Sequence, residues 1–293
     1  MANKVVTREW GRRVPQSGMS RRLRGLLLFV LAPASGCAQR VDGATPRPHP
    51  PPVTAPTRGT CFILYEIGVG EVKRSPADLC TTRISPASTF KIAHALAALD
   101  AGALSGADAS FRYNGEPFPV NAWRRDHTLA TAMRYSVVWY FQRVATALGA
   151  DREREYLARL DYGNRDISTA LTSFWLDGSL RISPEEQERF LVRLYEDGLP
   201  IGRDAMRIVR DILVQPRDAV VSAMGEHPFA APWPGGAVVS AKTGRGPDVS
   251  WLVGHVKRPL RAWVFVSAVA GERLDARASI DLAEASLRAA QVL

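Results

Sequence analysis

Apolar residues follow two different patterns along this chain, and the change of pattern predicts its secondary structure. Short apolar runs typical of β-strands fall at 61–73, 237–242, 249–257 and 262–269, and a turn at Gly68 divides the first run into a hairpin. Helix-type spacing between these runs predicts helices over 88–101, 129–148, 151–160 and 184–197, and an amphipathic helix over 277–293 closes the chain. Strands are therefore expected at both ends of this region and helices in its middle.

This order of elements predicts an α+β fold. Strands from both ends of the region can join one antiparallel sheet, with helices on its faces and an inserted helical lobe. A cleft is expected between the sheet and the lobe. The folded region is predicted to span 59–293, long enough for one large core or two closely packed lobes.

The first part of the chain has the composition of an export signal. A basic stretch at 21–24 precedes an apolar run at 26–32 and small residues up to Gly36, so 1–36 is predicted to be a secretory leader, with Met19 as an alternative start. The apolar run is much shorter than the roughly 20 residues of a membrane-spanning helix. Residues 37–58 are predicted to be a proline-rich linker. Cys37 stands where a bacterial lipoprotein has its lipidated cysteine, and lipid attachment and ordinary cleavage nearby both stay open.

The net charge of +9 belongs to this leader and linker rather than to a partner surface. Ten of the 38 basic residues but only two of the 29 acidic residues precede Gly59, so the remainder is nearly neutral. A nucleic-acid partner is not expected. The five histidines are scattered and no Cys/His spacing suits zinc, so no metal is expected either. The composition gives no indication of the oligomeric state.

Cys61 and Cys80 flank the predicted hairpin, whose strands could bring the two cysteines together. Export through an oxidising compartment favours a disulfide between them over two separate buried thiols.

Ser88 and Lys91 are the first candidate catalytic residues. Three positions apart, they share one face of the predicted helix, and Ser88 lies near its N-terminus among unpaired backbone N–H groups. An N-cap serine followed by a solvated lysine is the ordinary interpretation of this spacing. The residues around Lys91 are almost all apolar, however, so the lysine is expected to be buried. Burial lowers the pKa of a lysine and makes its amine available as a base.

Four further motifs follow in order: Ser136-Val137-Val138, Tyr162-Gly163-Asn164, the segment 174–178 of sequence Phe-Trp-Leu-Asp-Gly, and Lys242-Thr243-Gly244. Together with Ser88-x-x-Lys91 they resemble the class D β-lactamases, over about 61–290. The Ser136 motif departs from the Ser-Asp-Asn of the class A enzymes, and no deacylating glutamate motif follows it. The resemblance implies the fold of the serine β-lactamases and penicillin-binding transpeptidases.

The resemblance also implies a role for each matching residue. Ser88 would be the acylated nucleophile, Lys91 carboxylated by carbon dioxide would be the general base, and Ser136 would relay protons to the leaving nitrogen. The remaining assignments are a carbamate pocket of Val138 and Trp175, substrate carboxylate binding by Lys242, Thr243, Gly244 and Arg277, an oxyanion hole from the backbone N–H groups of Ser88 and Arg245, and structural support from Tyr162, Gly163 and Asn164. No cofactor is implied besides carbon dioxide or bicarbonate.

The expected function is hydrolysis of β-lactam antibiotics in the periplasm, with the membrane involved only through a lipid on Cys37. Three alternatives use the same scaffold: a β-lactam sensor that stays acylated, a D-alanyl peptidase, and a tethered protein without catalysis. Two positions depart from the family. The strand containing Trp251 and His255 is poorer in tryptophan, and Arg245 follows the Lys-Thr-Gly motif where an apolar residue is common. Arg245 would favour substrates with a second acidic group.

Overall fold

The structure is a computed structural model that describes residues 58–75, 78–176 and 178–293. The predicted leader with Met19, Cys37 and the linker up to residue 57 lie outside the described residues. Asp177 of the segment 174–178 lies outside them as well.

Five strands form the main sheet, which is antiparallel throughout in the order β2-β1-β9-β8-β7. They are β1 (Gly59–Glu66), β2 (Gly70–Arg74), β7 (Val238–Arg245), β8 (Val249–Lys257) and β9 (Ala262–Ala270). Two small hairpins lie outside it, formed by β3 (Ser110–Phe111) with β4 (His127–Thr128) and by β5 (Ala219–Ser222) with β6 (Gly225–Pro228). The pairing of β1 with β9 joins the two ends of the folded chain, as the sequence predicts.

The helices occupy the middle and the end of the folded chain. They are α1 (Lys91–Asp100), α2 (Leu129–Arg134), α3 (Val138–Leu148), α4 (Ala150–Leu160), α5 (Pro184–Tyr195), α6 (Arg203–Ile212) and α7 (Ala278–Ala289). Short 3₁₀ helices span Asp78–Cys80, Ala87–Phe90 and Asn121–Trp123. Within the described residues, none of these helices combines the length and the apolar character needed to cross a bilayer.

One predicted helix is wrong, because 129–148 is divided into α2 and α3. Ser136 adopts φ +55°, a left-handed conformation that cannot continue a right-handed helix, and the Val137 N–H closes the turn on the carbonyl of Ala132 at 2.9 Å. The break places Ser136 in a bend between two helices. Helix α6 and the β5-β6 hairpin are absent from the sequence prediction.

Alternating side chains of the sheet enter two separate cores. Ile63, Val253 and Val266 pack with the helices of the middle region, whereas Leu64, Leu252 and Phe265 pack on the opposite face. That opposite face is covered by α7 through residues such as Ile280, Ala283 and Leu287. The two-residue period of the strands thus produces a sheet buried on both faces. Cys61 and Cys80 form a disulfide that joins β1 to the 3₁₀ helix Asp78–Cys80.

Candidate active site

Ser88 lies on a tight turn that precedes α1 rather than on α1 itself. Ala87 has φ +46°, and its N–H donates to Ser85 Oγ at 3.3 Å, while Ser85 Oγ donates to the carbonyl of Leu176 at 2.6 Å. The 3₁₀ helix Ala87–Phe90 then leads into α1, which begins at Lys91. Because Ser88 is partly exposed and lines the cleft, its hydroxyl is open to a ligand there.

Lys91 is buried beneath Ser88, as its apolar neighbours in the sequence predict. Its side chain has 0% exposure, and Nζ donates a hydrogen bond to Ser88 Oγ at 2.7 Å. The Phe141 ring centroid lies 5.4 Å from Nζ. Desolvation by burial, with a smaller contribution from the charge of Lys242, holds the pKa of Lys91 well below its ordinary value. A neutral amine next to a serine hydroxyl can accept its proton.

A second buried lysine approaches from the sheet. Lys242 Nζ on β7 donates to Ser136 Oγ at 3.0 Å and to the carbonyl of Thr243 at 2.9 Å. Burial lowers the pKa of Lys242 to about 7. The bend between α2 and α3 therefore places Ser136 between the helical region and the strand that carries Lys242.

Gly244 allows β7 to approach the turn that carries Ser88. A Cβ atom at Gly244 would lie 2.9 Å from Thr89 Cγ2 and 3.1 Å from the carbonyl oxygen of Pro86. Any side chain at this position would push the strand away from the 3₁₀ helix. This close approach brings Thr243, Gly244 and Arg245 to the same cleft as Ser88.

Trp175 provides a buried donor without a partner. Its side chain has 0% exposure, and the indole Nε1 makes no hydrogen bond in the part of the chain that the structure describes. The ring packs among Phe90, Phe174 and His94, with centroid distances of 5.8, 5.0 and 5.4 Å. A buried N–H group is normally hydrogen-bonded, so this orphaned donor fits an acceptor group held on Lys91.

The Tyr162-Gly163-Asn164 motif supports the site from outside the cleft. Tyr162 Oη donates to Gln187 at 3.0 Å, and Asn164 bonds the backbone of Ser179 and Arg181. Gly163 has φ +54°, and a Cβ atom there would lie 2.1 Å from the Arg181 carbonyl oxygen. The motif thus fastens the segment before α5, which includes Trp175.

Arg277 and Arg245 occupy different positions at the cleft. Arg277 precedes α7 and its Nε donates to Asp281 at 3.0 Å, which ties one edge of the guanidinium to that helix. Its neighbour Ala276 does line the cleft. Arg245 lines the cleft with an exposed side chain, and Nη2 donates to the carbonyl of Leu274 at 3.0 Å.

Sequence reasoning missed one wall of the cleft. The β5-β6 hairpin contributes Ser222, Met224 and His227, and Ser222 Oγ lies 2.7 Å from His227 Nε2. Glu284 fixes the following segment by accepting from the Ala230 N–H at 2.7 Å. These residues belong to no catalytic motif, and the turn glycine Gly225 between two short alternating runs is their only signal. Val138, at the start of α3, lines the cleft together with Val120, Trp123, Leu176 and Ile280.

Comparison with known proteins yields several β-lactamases and one regulatory protein, BlaR1 of Bacillus licheniformis. A family model described as the penicillin binding protein transpeptidase domain matches residues 69–290. The probable β-lactamase YbxI of Bacillus subtilis is 36% identical over 73% of this chain and 74% of its own length. β-Lactamase OXA-48 of Klebsiella pneumoniae is 38% identical over 61% of this chain and 63% of its own length. The crystal structure of a class D β-lactamase from Bacillus subtilis superposes with a TM-score of 0.71 and 30% identity, covering 80% of this chain and 93% of that one.

Proposed function

The chain belongs to the class D serine β-lactamases, within the penicillin-binding transpeptidase family, and from this membership we propose that it hydrolyses β-lactam antibiotics through an acyl-enzyme on Ser88. The observation that carries this proposal is the 2.7 Å hydrogen bond between Lys91 Nζ and Ser88 Oγ, formed by a lysine without solvent exposure. A buried base beside a cleft-lining serine is the arrangement that acyl transfer requires.

The proposed acylation uses Lys91, Ser136 and two backbone N–H groups. Lys91 takes the proton of Ser88 Oγ as that oxygen attacks the β-lactam carbonyl, and the backbone N–H groups of Ser88 and Arg245 stabilise the developing oxyanion, each contributing a few kcal/mol. Ser136 returns a proton to the leaving nitrogen, since its hydroxyl is bonded to Lys242 Nζ at 3.0 Å. The ring nitrogen thereby becomes a good leaving group.

The substrate carboxylate is expected at the positive end of the cleft. Protonated Lys242 provides charge, and the Thr243 hydroxyl provides a hydrogen bond. Arg277 holds Asp281 through Nε, and its Nη groups can donate to the substrate carboxylate as well.

Carboxylation of Lys91 by carbon dioxide is the finer part of the proposal. Two features support it: the lowered pKa of Lys91, which leaves a nucleophilic amine, and the buried Trp175 Nε1 that has no acceptor. Trp175 would hold the added group, and the apolar side chain of Val138 would keep water from it. When present, the group supplies an oxygen base for both acylation and deacylation.

Export is also part of the proposal, because β-lactams act on cell-wall synthesis outside the cytoplasm. The leader-like composition of 1–36 and the disulfide between Cys61 and Cys80 both support it. Cys37 would tether the domain if it is lipidated. Mass spectrometry of protein recovered from membranes and from the soluble periplasm would distinguish a lipid-bearing Cys37 from a cleaved N-terminus.

The purified protein should hydrolyse many equivalents of a chromogenic cephalosporin, and added bicarbonate should increase the rate. Sustained turnover with bicarbonate enhancement supports both the hydrolase and its carboxylated lysine. Sustained turnover without any bicarbonate effect keeps the hydrolase and removes the carboxylation. A single stoichiometric burst followed by silence would instead identify a sensor or a peptidase that stays acylated.

A further inference from the structure

A pair of ionisable side chains lies buried behind the cleft and takes no part in the chemistry described above. His94 on α1 and Glu153 on α4 have 0% and 1% exposure, and His94 Nε2 lies 2.6 Å from Glu153 Oε1. The contact is close but poorly aligned, since neither atom makes a hydrogen bond of normal geometry. A buried pair of this kind adds little to stability compared with apolar side chains of similar size, so folding alone is a weak reason for it.

His94 lies next to the surroundings of Lys91. It follows Lys91 by three positions in α1, so both side chains lie on the same side of that helix. The His94 ring is 5.8 Å from the ring of Phe141, which in turn lies 5.4 Å from Lys91 Nζ. It also meets the Trp175 ring edge-on at 5.4 Å. The imidazole therefore packs against both aromatic residues that the site relies on.

Two polar nitrogens on these touching rings have no partner. Trp175 Nε1 and His94 Nδ1 are both buried and make no hydrogen bond within the described residues. Buried donors and acceptors are rarely left unpaired, and when they are, the reason is often functional. The two atoms lie on neighbouring rings beside the helix that carries the buried Lys91. A polar group added to Lys91 would offer them a hydrogen-bond partner.

The contacts of the pair lead from α4 to the site. Glu153 contacts His94, and His94 contacts the rings of Phe141 and Trp175 around Lys91. Carboxylation would place an acceptor on Lys91, and an imidazole held by Glu153 would keep the Trp175 ring in position to donate its N–H to that acceptor.

We propose that His94 and Glu153 are positioning residues for Lys91: Glu153 orients the imidazole, the imidazole holds the Trp175 ring, and the pair raises the affinity of Lys91 for carbon dioxide. This inference rests on the carboxylated lysine of the proposed function. In carboxylation, the lone pair of the neutral Nζ would form a bond to the carbon of carbon dioxide while one C=O π pair moves to oxygen, and the nitrogen would release one N–H proton. Ser88 Oγ, at 2.7 Å, can pass that proton to the cleft.

The test measures carbon dioxide binding directly. Full-length protein is titrated with ¹³C-labelled bicarbonate and the lysine carbamate signal is followed by NMR. Glu153→Gln and His94→Asn should each raise the half-saturating bicarbonate concentration by about tenfold. This change corresponds to about 1.4 kcal/mol of binding free energy. In parallel, kcat of the variants should be lower than that of wild type at low bicarbonate and should recover with excess bicarbonate, while KM stays unchanged. A general loss of structure would not change kcat alone.

His255→Asn is the matched control, because His255 is another largely buried imidazole, stacked on Tyr195 rather than placed beside Lys91. It should leave bicarbonate binding unchanged. If a single variant unfolds, the apolar double variant His94→Leu/Glu153→Met, which leaves no charge unpaired, is measured in its place. It should fold and bind carbon dioxide weakly.

The outcomes separate this inference from the proposed function. A carbamate signal with the same affinity in wild type and in all variants overturns the positioning role and leaves the hydrolase mechanism intact. No carbamate in the wild type overturns the carboxylated lysine and this inference together, while turnover of the cephalosporin still decides the hydrolase on its own.

Discussion

Two lysines approach the cleft from different elements, and both are buried and donate a hydrogen bond to a serine hydroxyl. Lys91 enters from helix α1, meets the Ser88 hydroxyl and is otherwise surrounded by apolar and aromatic groups such as Phe141. Lys242 enters from strand β7 and is bonded to a hydroxyl and a carbonyl. Burial lowers the pKa of both.

The difference lies in the partners that each amine has. The carbonyl of Thr243 stabilises a proton on Lys242, so that lysine is suited to bind an anion. Lys91 has no carbonyl or carboxylate partner among the described residues and lies near a second cation, so it is suited to lose its proton and act as a base. One physical cause thus supports two chemical roles, and the hydrogen-bond partners decide which one applies.

The largest effect on turnover is expected from removing Lys91, the lysine suited to act as a base. Lys91→Ala should lower steady-state turnover by about 10²- to 10⁴-fold, the range that a general base contributes. The residual acylation should be followed by even slower release, so mass spectrometry should detect an acylated Ser88. Lys257→Ala, at the exposed end of β8, is the control and should behave as wild type. Rapid turnover by Lys91→Ala would refute the base assignment.

The second prediction concerns Lys242 and pH. Its pKa of about 7 means that it is a cation below that pH and neutral above it. Because substrate binding needs the cation, kcat/KM should fall as pH rises through about 7, by up to about tenfold per unit. Lys242→Arg keeps its charge in this range and should shift the fall to higher pH. An identical pH profile in that variant would show that another group titrates.

Lys242 should give stability a pH dependence opposite to that of kcat/KM. Between about 7 and 10.5, the unfolded chain binds a proton that folded Lys242 lacks, so the free energy of unfolding should rise with pH across this window. Below about 7 the folded protein keeps a buried cation and this gain is absent. Urea unfolding of Lys242→Met should show a weaker rise than wild type, and an equal rise would contradict the burial argument.

The smallest effect is expected at Arg245, which is exposed and screened by solvent. Arg245→Ala should weaken binding of substrates with a second acidic group by only a few fold and leave other substrates unchanged, as measured by KM for matched pairs of cephalosporins. Arg277→Ala offers the contrast, because every β-lactam with the ring carboxylate should lose affinity if the Arg277 guanidinium binds that carboxylate. Equal loss for all substrates in Arg245→Ala would remove its role in specificity.

The sequence predicted the sheet and the nucleophile region because their signals are local. Short continuous apolar runs along β1, β8 and β9 indicate buried strands, and the apolar residues after Lys91 indicate its burial. The positive φ of Ser136 has no comparable signal, because the apolar pattern on either side of it is continuous and a serine there looks helical. The tertiary contacts of the bend, rather than local preference, decide that conformation.

The remaining differences arise from contacts between distant parts of the chain. The hairpin residue His227 lines the cleft, and Glu284 on α7 holds the segment that follows the hairpin by accepting from the Ala230 N–H. No sequence motif indicates this arrangement. Arg277 matches the family pattern, yet Asp281 one turn later offers it a nearer partner. Similarity of motif gave Arg277 a role in substrate binding, which stays a prediction, but gave no indication of its hydrogen bond to Asp281.

The close approach at Gly244 has a consequence for protein synthesis. Ser88 emerges early from the ribosome, but the strand that completes its cleft is made near the end of the chain. A partly synthesised or C-terminally truncated chain therefore contains Ser88 without the Arg245 N–H of the proposed oxyanion hole, and we expect that it is not acylated by a β-lactam. Labelling by a fluorescent penicillin would then report only finished molecules, which makes the reagent a direct measure of how much of the expressed protein has reached its native state.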